Sequence, residues 1–460
     1  MTFAQPEELS EFLASNQDIE LIEVLMPDFH GLLRCKRIQR SEFETLFSGG
    51  FSVPGTVPLL GLRGNLYDGL SQSLVGGDPD KSLRPIAGTL TRIPWIEAPI
   101  AQVLTGYVSE EGDYSWVDPR SPLRRVLQRY ENNGLHPTVA PELEFYLIAP
   151  GDGDRPHPLM GKIPGTSLNQ EGIQYCMPDD LIDCHDFLEQ VRHACEVQKV
   201  PLTAIHSEFS AGQWEINTHH QTDAVVAGNH AALLKRIVKG VARRHGWGAT
   251  FMAKPFAEQA GSGLHVHVSV YNDRGENIFA EPDPVTPPRL MPRLRHAVAG
   301  LGKTLEEGMA FFAPNPNSYR RFKAGAFAPS GSNWGYDHRE ATLRIPASGE
   351  KSRRIEHRVS GADANPYLAL AAVLAGVHYG LDEAEEPGPP IPREADLSEA
   401  PITLPKRLEF ALEALRCAEV LPSYFGREFT DAFLTLREGE ADDYYSQIPD
   451  IDYQWMLRAL

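Results

Sequence analysis

The chain has 460 residues, 42% of them apolar and 23% charged, and 43 basic against 62 acidic side chains give a formal net charge of -19. That length supports a large core and more than one domain, while so acidic a balance lacks the basic surface that neutralises phosphate, so no nucleic-acid partner is expected. No apolar run reaches membrane-spanning length, and the five cysteines (Cys35, Cys176, Cys184, Cys195, Cys417) form no CxxC or zinc spacing, which predicts free thiols, no membrane partner and a cytoplasmic setting.

The first 15 residues are acidic, lack an apolar signal core and read as a short amphipathic helix or arm. From "IELIEVLMPDFHGLLRCKRI" to "GTLTRIPW", short apolar stretches alternate with turn residues, which predicts a small sheet-rich domain over 16–112. A helix is then expected in "VDPRSPLRRVLQRYENNG". Ser121 is its expected cap, Pro122 suits the first turn, Leu123, Val126, Leu127 and Tyr130 form a stripe, and Gly134 ends it. A second domain, 117–460, begins near this helix.

In "PTVAPELEFYLI", Leu143, Phe145 and Leu147 point one way as a strand, and Glu142, Glu144 and Tyr146 the other. "HSEFSAGQWEI" carries Glu208 and Glu215 on either side of a glycine-containing turn. "HAALLKRIVKGVARRHG" has the spacing of an amphipathic helix. "GSGLHVHVSV" sets His265, His267 and Ser269 opposite Leu264, Val266, Val268 and Val270. "GLGKT" at 300–304 lacks the first glycine of a phosphate loop, since position 297 is Ala297, and it continues a helical pattern. In "RRIEHRV", Ile355, His357 and Val359 share one strand face and Arg354, Glu356 and Arg358 the other; an almost wholly apolar helix follows. "PGPPIPREADLSEAP" is a loop, and "LPKRLEFALEALR" starts a terminal helical region.

Any one of these strands could be half solvated, with its polar face to water. Their shared preference for acids and histidines points to convergence instead. Five carboxylates and an imidazole brought together repel unless divalent cations neutralise them, and oxygen-rich donors suit Mg2+ or Mn2+ better than zinc. A carboxylate-rich site for two or more cations implies phosphoryl chemistry. On this view the loss of Glu356 relieves repulsion and is expected to cost little stability.

These segments resemble the glutamine synthetase family. The matches are "PELEFYL", "HSEFSAGQWEIN", "TFMAKPF", "GSGLHVHVS", "NSYRRF", "REATLRIP" and "RRIEHRVSGADANPYLALAA", in the family's order from about residue 117 onward; the first domain matches mainly through "GGDPDKSLRPIAGTLTRIPW". The resemblance implies an α+β fold, with a small N-terminal β-grasp domain and a catalytic α/β domain built on a curved antiparallel sheet. It implies a ring-shaped homo-oligomer, a double-ring dodecamer, with sites between subunits. It further implies that Glu144, Glu208 and Glu215 hold one metal and Glu142, His265 and Glu356 the second. Gly261, Arg321 and Arg358 would bind glutamate, Arg339 and Arg344 would act on the transferred phosphate, and His267, Ser269, Arg344, Lys351 and Arg354 would lie along ATP.

The chain departs from family members that make glutamine at three places. No acid lies between Phe51 and Val57, where the resemblance places an ammonium-binding acid. Phe327 replaces the flap glutamate, and Ala260 replaces an asparagine. The adenylylation tyrosine of the family also has no counterpart. The departures resemble the γ-glutamylpolyamine and γ-glutamylamide synthetase branch, an ATP-dependent ligase joining L-glutamate to an amine such as putrescine or spermidine. In that branch Phe327 would face the amine's alkyl part, and Asp68, Asp78 or Asp80 are the acids open to a distal ammonium group. A monoalkylamine, ammonium, and a catalytically silent structural relative are the alternative readings.

Overall fold

The computed structural model describes residues 3–70, 77–151, 153, 155–280, 292–323, 328–329, 331–397 and 401–460. Six strands form the first sheet: β1 (Leu21–Pro27), β2 (Leu33–Gln39), β3 (Phe51–Pro54), β4 (Asp80–Pro85), β5 (Thr91–Arg92) and β6 (Ile100–Val108). Their order is β2-β1-β6-β4-β3, with β5 on β6; β1 and β6 run parallel and the other pairs antiparallel. Period-two alternation gives this sheet two apolar sides. Ile22 and Val24 close a small core with Leu9, Phe43 and Phe47, while Leu25, Leu83, Leu104 and Tyr107 join the main core of the molecule.

The second sheet has eight strands: β7 (Leu135–Ile148), β8 (Leu202–Ser207), β9 (Gln213–Thr218), β10 (Gly248–Thr250), β11 (Leu264–Asn272), β12 (Trp334–Tyr336), β13 (Leu343–Ile345) and β14 (Ile355–His357). The order is β12-β13-β14-β11-β7-β9-β8, with β10 on β7, and every pair except β12–β13 is antiparallel. Helices cover its apolar face. Ala224–Arg244 is capped by Asp223, whose carboxylate accepts from Val225 N at 2.8 Å. Pro366–Glu383 is capped by Asn365 through Tyr367 N at 3.0 Å. Both are the N-cap chemistry that satisfies free amides of a first turn. The α+β expectation holds, and among the described residues no helix is long and apolar enough to cross a membrane.

Two local expectations are refined and a third, the helical reading of "GLGKT", is met. Ser121 does not cap its helix: it is the first residue of Ser121–Asn132, and no side chain caps that end. Asp118 instead accepts from Arg120 N and Nε, both at 2.9 Å, holding a fully buried guanidinium in the turn before it. The "GLGKT" stretch lies within the Pro292–Phe312 helix, where a Cβ on Gly300 would sit 2.2 Å from the Gly376 carbonyl. Close helix crossing, not phosphate, requires that glycine. Of "RRIEHRV", only Ile355–His357 is strand, yet its alternation survives. His357 packs on Phe312 with neither ring nitrogen hydrogen-bonded, and burial lowers its pKa to about 3, so it is neutral core.

The two sheets are bound together. Asn365 Nδ2 donates to the carbonyls of Asp28 at 3.1 Å and Phe29 at 3.3 Å. Glu440, in the Arg427–Tyr445 helix, lies 2.7 Å from His30 Nε2 and accepts from Leu62 N at 2.7 Å.

Candidate active site

Alternation puts the acids and imidazoles on one face of the second sheet, and strand register sets them side by side. His206 of β8 faces Glu215 of β9, which faces Glu144 of β7. Two residues earlier on β7, Glu142 faces His265 of β11. His267 of β11 then faces Glu356 of β14, which faces Arg344 of β13. Directly opposed side chains stand about 5 Å apart at Cβ, so six strands deliver one continuous polar row. Glu208 joins it from the turn after β8.

Three sets of donor atoms in this row are close enough to share a cation: Glu142, His265 and Glu356; Glu144, Glu215 and His265; and His206, Glu208 and Glu215. The first set is the one expected for the second metal. Of the set expected for the first metal, Glu144 and Glu215 fall in one group and Glu208 and Glu215 in another, with histidine in both.

The charges are unevenly placed. Burial disfavours an ionised Glu142, but hydrogen bonds from His265 and His267 outweigh it and hold the carboxyl well below its usual range. Burial likewise opposes ionisation of Glu356; Arg358, then the two imidazoles, bring it down to about 2. Glu144 is raised by burial, and Glu215 is raised to about 7 by burial and then by the charge of Glu142. The Glu215 side is therefore the part of the row short of positive charge. His267 is fixed in one tautomer: its Nδ1 accepts from Arg354 Nε at 3.1 Å, so Nε2 carries the proton offered to Glu142 at 2.6 Å.

The row floors a cavity of about 830 Å³. Of the arginines expected at the site, Arg321, Arg339, Arg344, Arg354 and Arg358 all line it, as does Gly261. Arg321 is buried, its guanidinium anchored by the carbonyls of Val359 at 2.8 Å and Arg358 at 3.3 Å. Arg344 bridges Glu356 and Asp337, each at 2.7 Å, and Arg358 also bonds Glu356. Ser269 and Lys351 are not among the lining residues: Ser269 Oγ donates to the Arg353 carbonyl at 3.0 Å, and Lys351 is exposed. Phe327 lies outside the described residues. Asp68, Asp78 and Asp80 do not line this cavity, and Asp78 accepts from Thr56 N at 2.9 Å and Oγ1 at 2.7 Å.

Several participants were not singled out from sequence. Gln213 Nε2 donates to the Gly261 carbonyl at 3.0 Å, and Asp337 orients Arg344. His206 was legible in principle, since it stands two residues before Glu208. Gly263 donates its N–H to Glu144 at 2.8 Å, and a Cβ there would meet His265 Nε2 at 2.8 Å and Arg321 Nη2 at 2.9 Å. Exposed Ile173, Tyr175 and Phe209 add an apolar wall to the mouth.

The family model for the glutamine synthetase catalytic domain matches residues 116–456, the span that builds this row. The chain belongs to the glutamine synthetase family. It is a ligase of that family, and near-full-length relatives accompany the domain match. Gamma-glutamylputrescine synthetase PuuA of Escherichia coli (strain K12) is 34% identical over 98% of this chain and 94% of its own length. Glutamate–isopropylamine ligase of a Pseudomonas species is 31% identical over 92% of each. A solved structure titled as a GmaS/ADP complex superposes with a TM-score of 0.83 at 26% identity, covering 98% of this chain and 99% of that one. As a member of the glutamine synthetase family the chain thus carries its sheet-borne acids and imidazoles within the matched catalytic domain, and the first sheet precedes it.

Proposed function

We propose that the protein is an ATP-dependent ligase that joins the γ-carboxylate of L-glutamate to an amine. The observation that carries this reading is the meeting of carboxylates and imidazoles from neighbouring strands with five arginines in one cavity. Glu142, His265 and Glu356 would hold one Mg2+ or Mn2+, and Glu208, Glu215 and Glu144 the side of the second. When bound, such cations neutralise the acids and the charge of ATP phosphates. Arg321 and Arg358 bind the α-carboxylate of glutamate, Arg339 and Arg344 stabilise the phosphoryl group in transit, and His267 and Arg354 lie beside the nucleotide. A γ-carboxylate oxygen attacks the γ-phosphorus as its bond to ADP breaks. The amine nitrogen then attacks the acyl carbon, loses a proton, and phosphate leaves with the carboxylate oxygen. Oxygen-18 placed in that carboxylate is expected in the released phosphate; unlabelled phosphate would exclude the acyl phosphate route.

The amine is proposed to be larger than ammonium, with putrescine or spermidine the leading candidates and polyamine catabolism the setting. Support comes from the missing ammonium-side acids, the apolar wall of Ile173, Tyr175 and Phe209, and relatives named for putrescine and isopropylamine. Burying methylenes there is favourable by about 0.8 kcal/mol each. Exposed Glu258, on the same cavity, is the carboxylate available to a distal ammonium group. The test is phosphate release with glutamate, ATP and a panel of amines. kcat/KM for putrescine should exceed that for ammonium by at least about tenfold. Ammonium as the better substrate would return the chain to glutamine synthesis, and ethylamine as the best would discard the diamine.

A smaller change tests the floor of the site. Gly263→Ala should lower kcat at least about tenfold, since the added methyl displaces His265 and Arg321 and positioning errors near 1 Å are that costly. Unchanged far-UV circular dichroism would separate this from unfolding. A ring-shaped homo-oligomer, in the form of a double-ring dodecamer, is the assembly proposed for the protein.

A further inference from the structure

Arg321 reaches the cavity from the 3-10 turn Ser318–Arg321, and its aim is set by a segment distant in sequence. Two of its donors are taken up by the carbonyls of Val359 at 2.8 Å and Arg358 at 3.3 Å, so the backbone just past β14 fixes the plane of the guanidinium. A guanidinium has five N–H donors, and the remainder are left to a ligand carboxylate. The same backbone runs on through residues 361–365, which are held on several sides. Ala362 N donates to the Ser262 carbonyl at 2.9 Å, Ala364 N to the Gly361 carbonyl at 3.0 Å, and Lys235 Nζ to the Ala364 carbonyl at 2.8 Å.

From this anchored segment Asp363 meets the arginine's own turn. Its Oδ2 accepts from Ser318 Oγ at 2.6 Å and from Asn315 Nδ2 at 2.9 Å, and Ser318 Oγ in turn accepts from Asn315 N at 3.1 Å. Ser318 is buried, so water does not compete for that bond. The other carboxylate oxygen, Oδ1, is buried with no hydrogen-bond partner, and a Cβ on Gly361 would stand 2.5 Å from it. A tie between two loops has no need of a carboxylate with one oxygen unsatisfied, which is costly where an amide would serve. The acid has a use in Arg321. Burial lowers the pKa of that arginine and Arg358 adds to the effect, while Glu144 and Asp363 are the acids that oppose it. Asp363 itself does not line the cavity.

We infer that Asp363 is a positioning residue for glutamate: it ties the turn bearing Arg321 to the segment bearing Arg358, and so fixes the spacing of the two guanidinium groups that receive the α-carboxylate. This rests on the proposed function, in which Arg321 and Arg358 bind that carboxylate, and adds the residue that holds the pair together. Without the tie Arg321 keeps its carbonyl anchors, but the turn that carries it is free to shift against them. The loss falls on glutamate and spares the nucleotide, because the side chains of His267 and Arg354 bond to neither segment.

The experiment titrates the full-length protein calorimetrically in Mg2+, first with ADP and then, at saturating ADP, with L-glutamate. Asp363→Ala should weaken glutamate binding at least about tenfold and ADP binding less than about twofold. Asp363→Asn keeps an acceptor for Ser318 and should recover part of the loss. Ser318→Ala cuts the same tie from the other side by removing one hydroxyl, and should weaken glutamate binding by at least about threefold. It decides the question if Asp363→Ala does not fold. Glutamate affinity unchanged in these variants would overturn the inference and leave the proposed function standing, and so would equal losses for glutamate and ADP, the mark of a merely structural role. An unaltered protein that binds ADP but no glutamate would overturn the proposed function and the inference with it.

Discussion

Replacing Glu356 with alanine is expected to abolish ligase turnover, at least about a thousandfold in kcat, and to destabilise the fold. The acid is 1% exposed and serves three groups at once: Arg344, Arg358 and, with Glu142 and His265, the proposed cation. Read from sequence alone, removing one of several clustered acids relieves repulsion. The structure reverses that sign. Glu356 is the member of the cluster that neutralises arginines, so its loss leaves the buried Arg358 without its carboxylate and Arg344 with Asp337 alone. Removing one partner of a buried pair typically costs about 3 kcal/mol or more. Glu356→Gln keeps the volume and some hydrogen bonding, and should recover part of the stability without the activity. Thermal unfolding beside a phosphate-release assay checks both. A Glu356→Ala protein with unchanged melting temperature would mean that the arginines find other partners, and one retaining more than about a tenth of the activity would remove Glu356 from the catalytic machinery.

Chelating divalent cations is expected to stop the reaction entirely and to leave a protein whose stability depends on pH in an unusual direction. Glu215 has its pKa raised from 4.5 to about 7 by burial and the charge of Glu142. Between those values the folded chain keeps a proton that the unfolded chain releases. Stability of the metal-free protein from this group therefore falls as pH rises through that window. Cation binding displaces this proton and removes the penalty. Mn2+ should then raise the melting temperature by at least about 2 °C more at pH 8 than at pH 6, and binding near pH 6 should release protons. Equal shifts at the two pH values would show that Glu215 is ionised throughout.

Much of this was readable before any coordinates, for a specific physical reason. Period-two alternation in "PTVAPELEFYLI" and "GSGLHVHVSV" forces Glu142, Glu144, His265 and His267 onto the face opposite a core of leucines and valines, so the donors announce themselves. Register is different. That His206 opposes Glu215, or Glu356 opposes Arg344, depends on which strands pair and at what offset, which local pattern does not encode. The same gap hid Gln213 and Asp337, whose roles are fixed by neighbours distant in sequence. Ser121 misled because a serine before proline is a good cap by composition, whereas the buried Asp118–Arg120 pair already organises that turn.

The joint between the two sheets has an effect on how this protein can be taken apart. One apolar core passes from Leu25 and Leu104 into the catalytic helices, and Asn365 and Glu440 fasten the first sheet by its turns. There are two architectures and no seam. A chain beginning at residue 117 would bare Phe429, whose ring packs 4.6 Å from that of Phe29, and would leave Asn365 and Arg437 without the Phe29 carbonyl. The first sheet is not a module to be exchanged between relatives as a cassette. Any change of amine preference introduced through it must be made residue by residue, within a lineage that keeps both halves together.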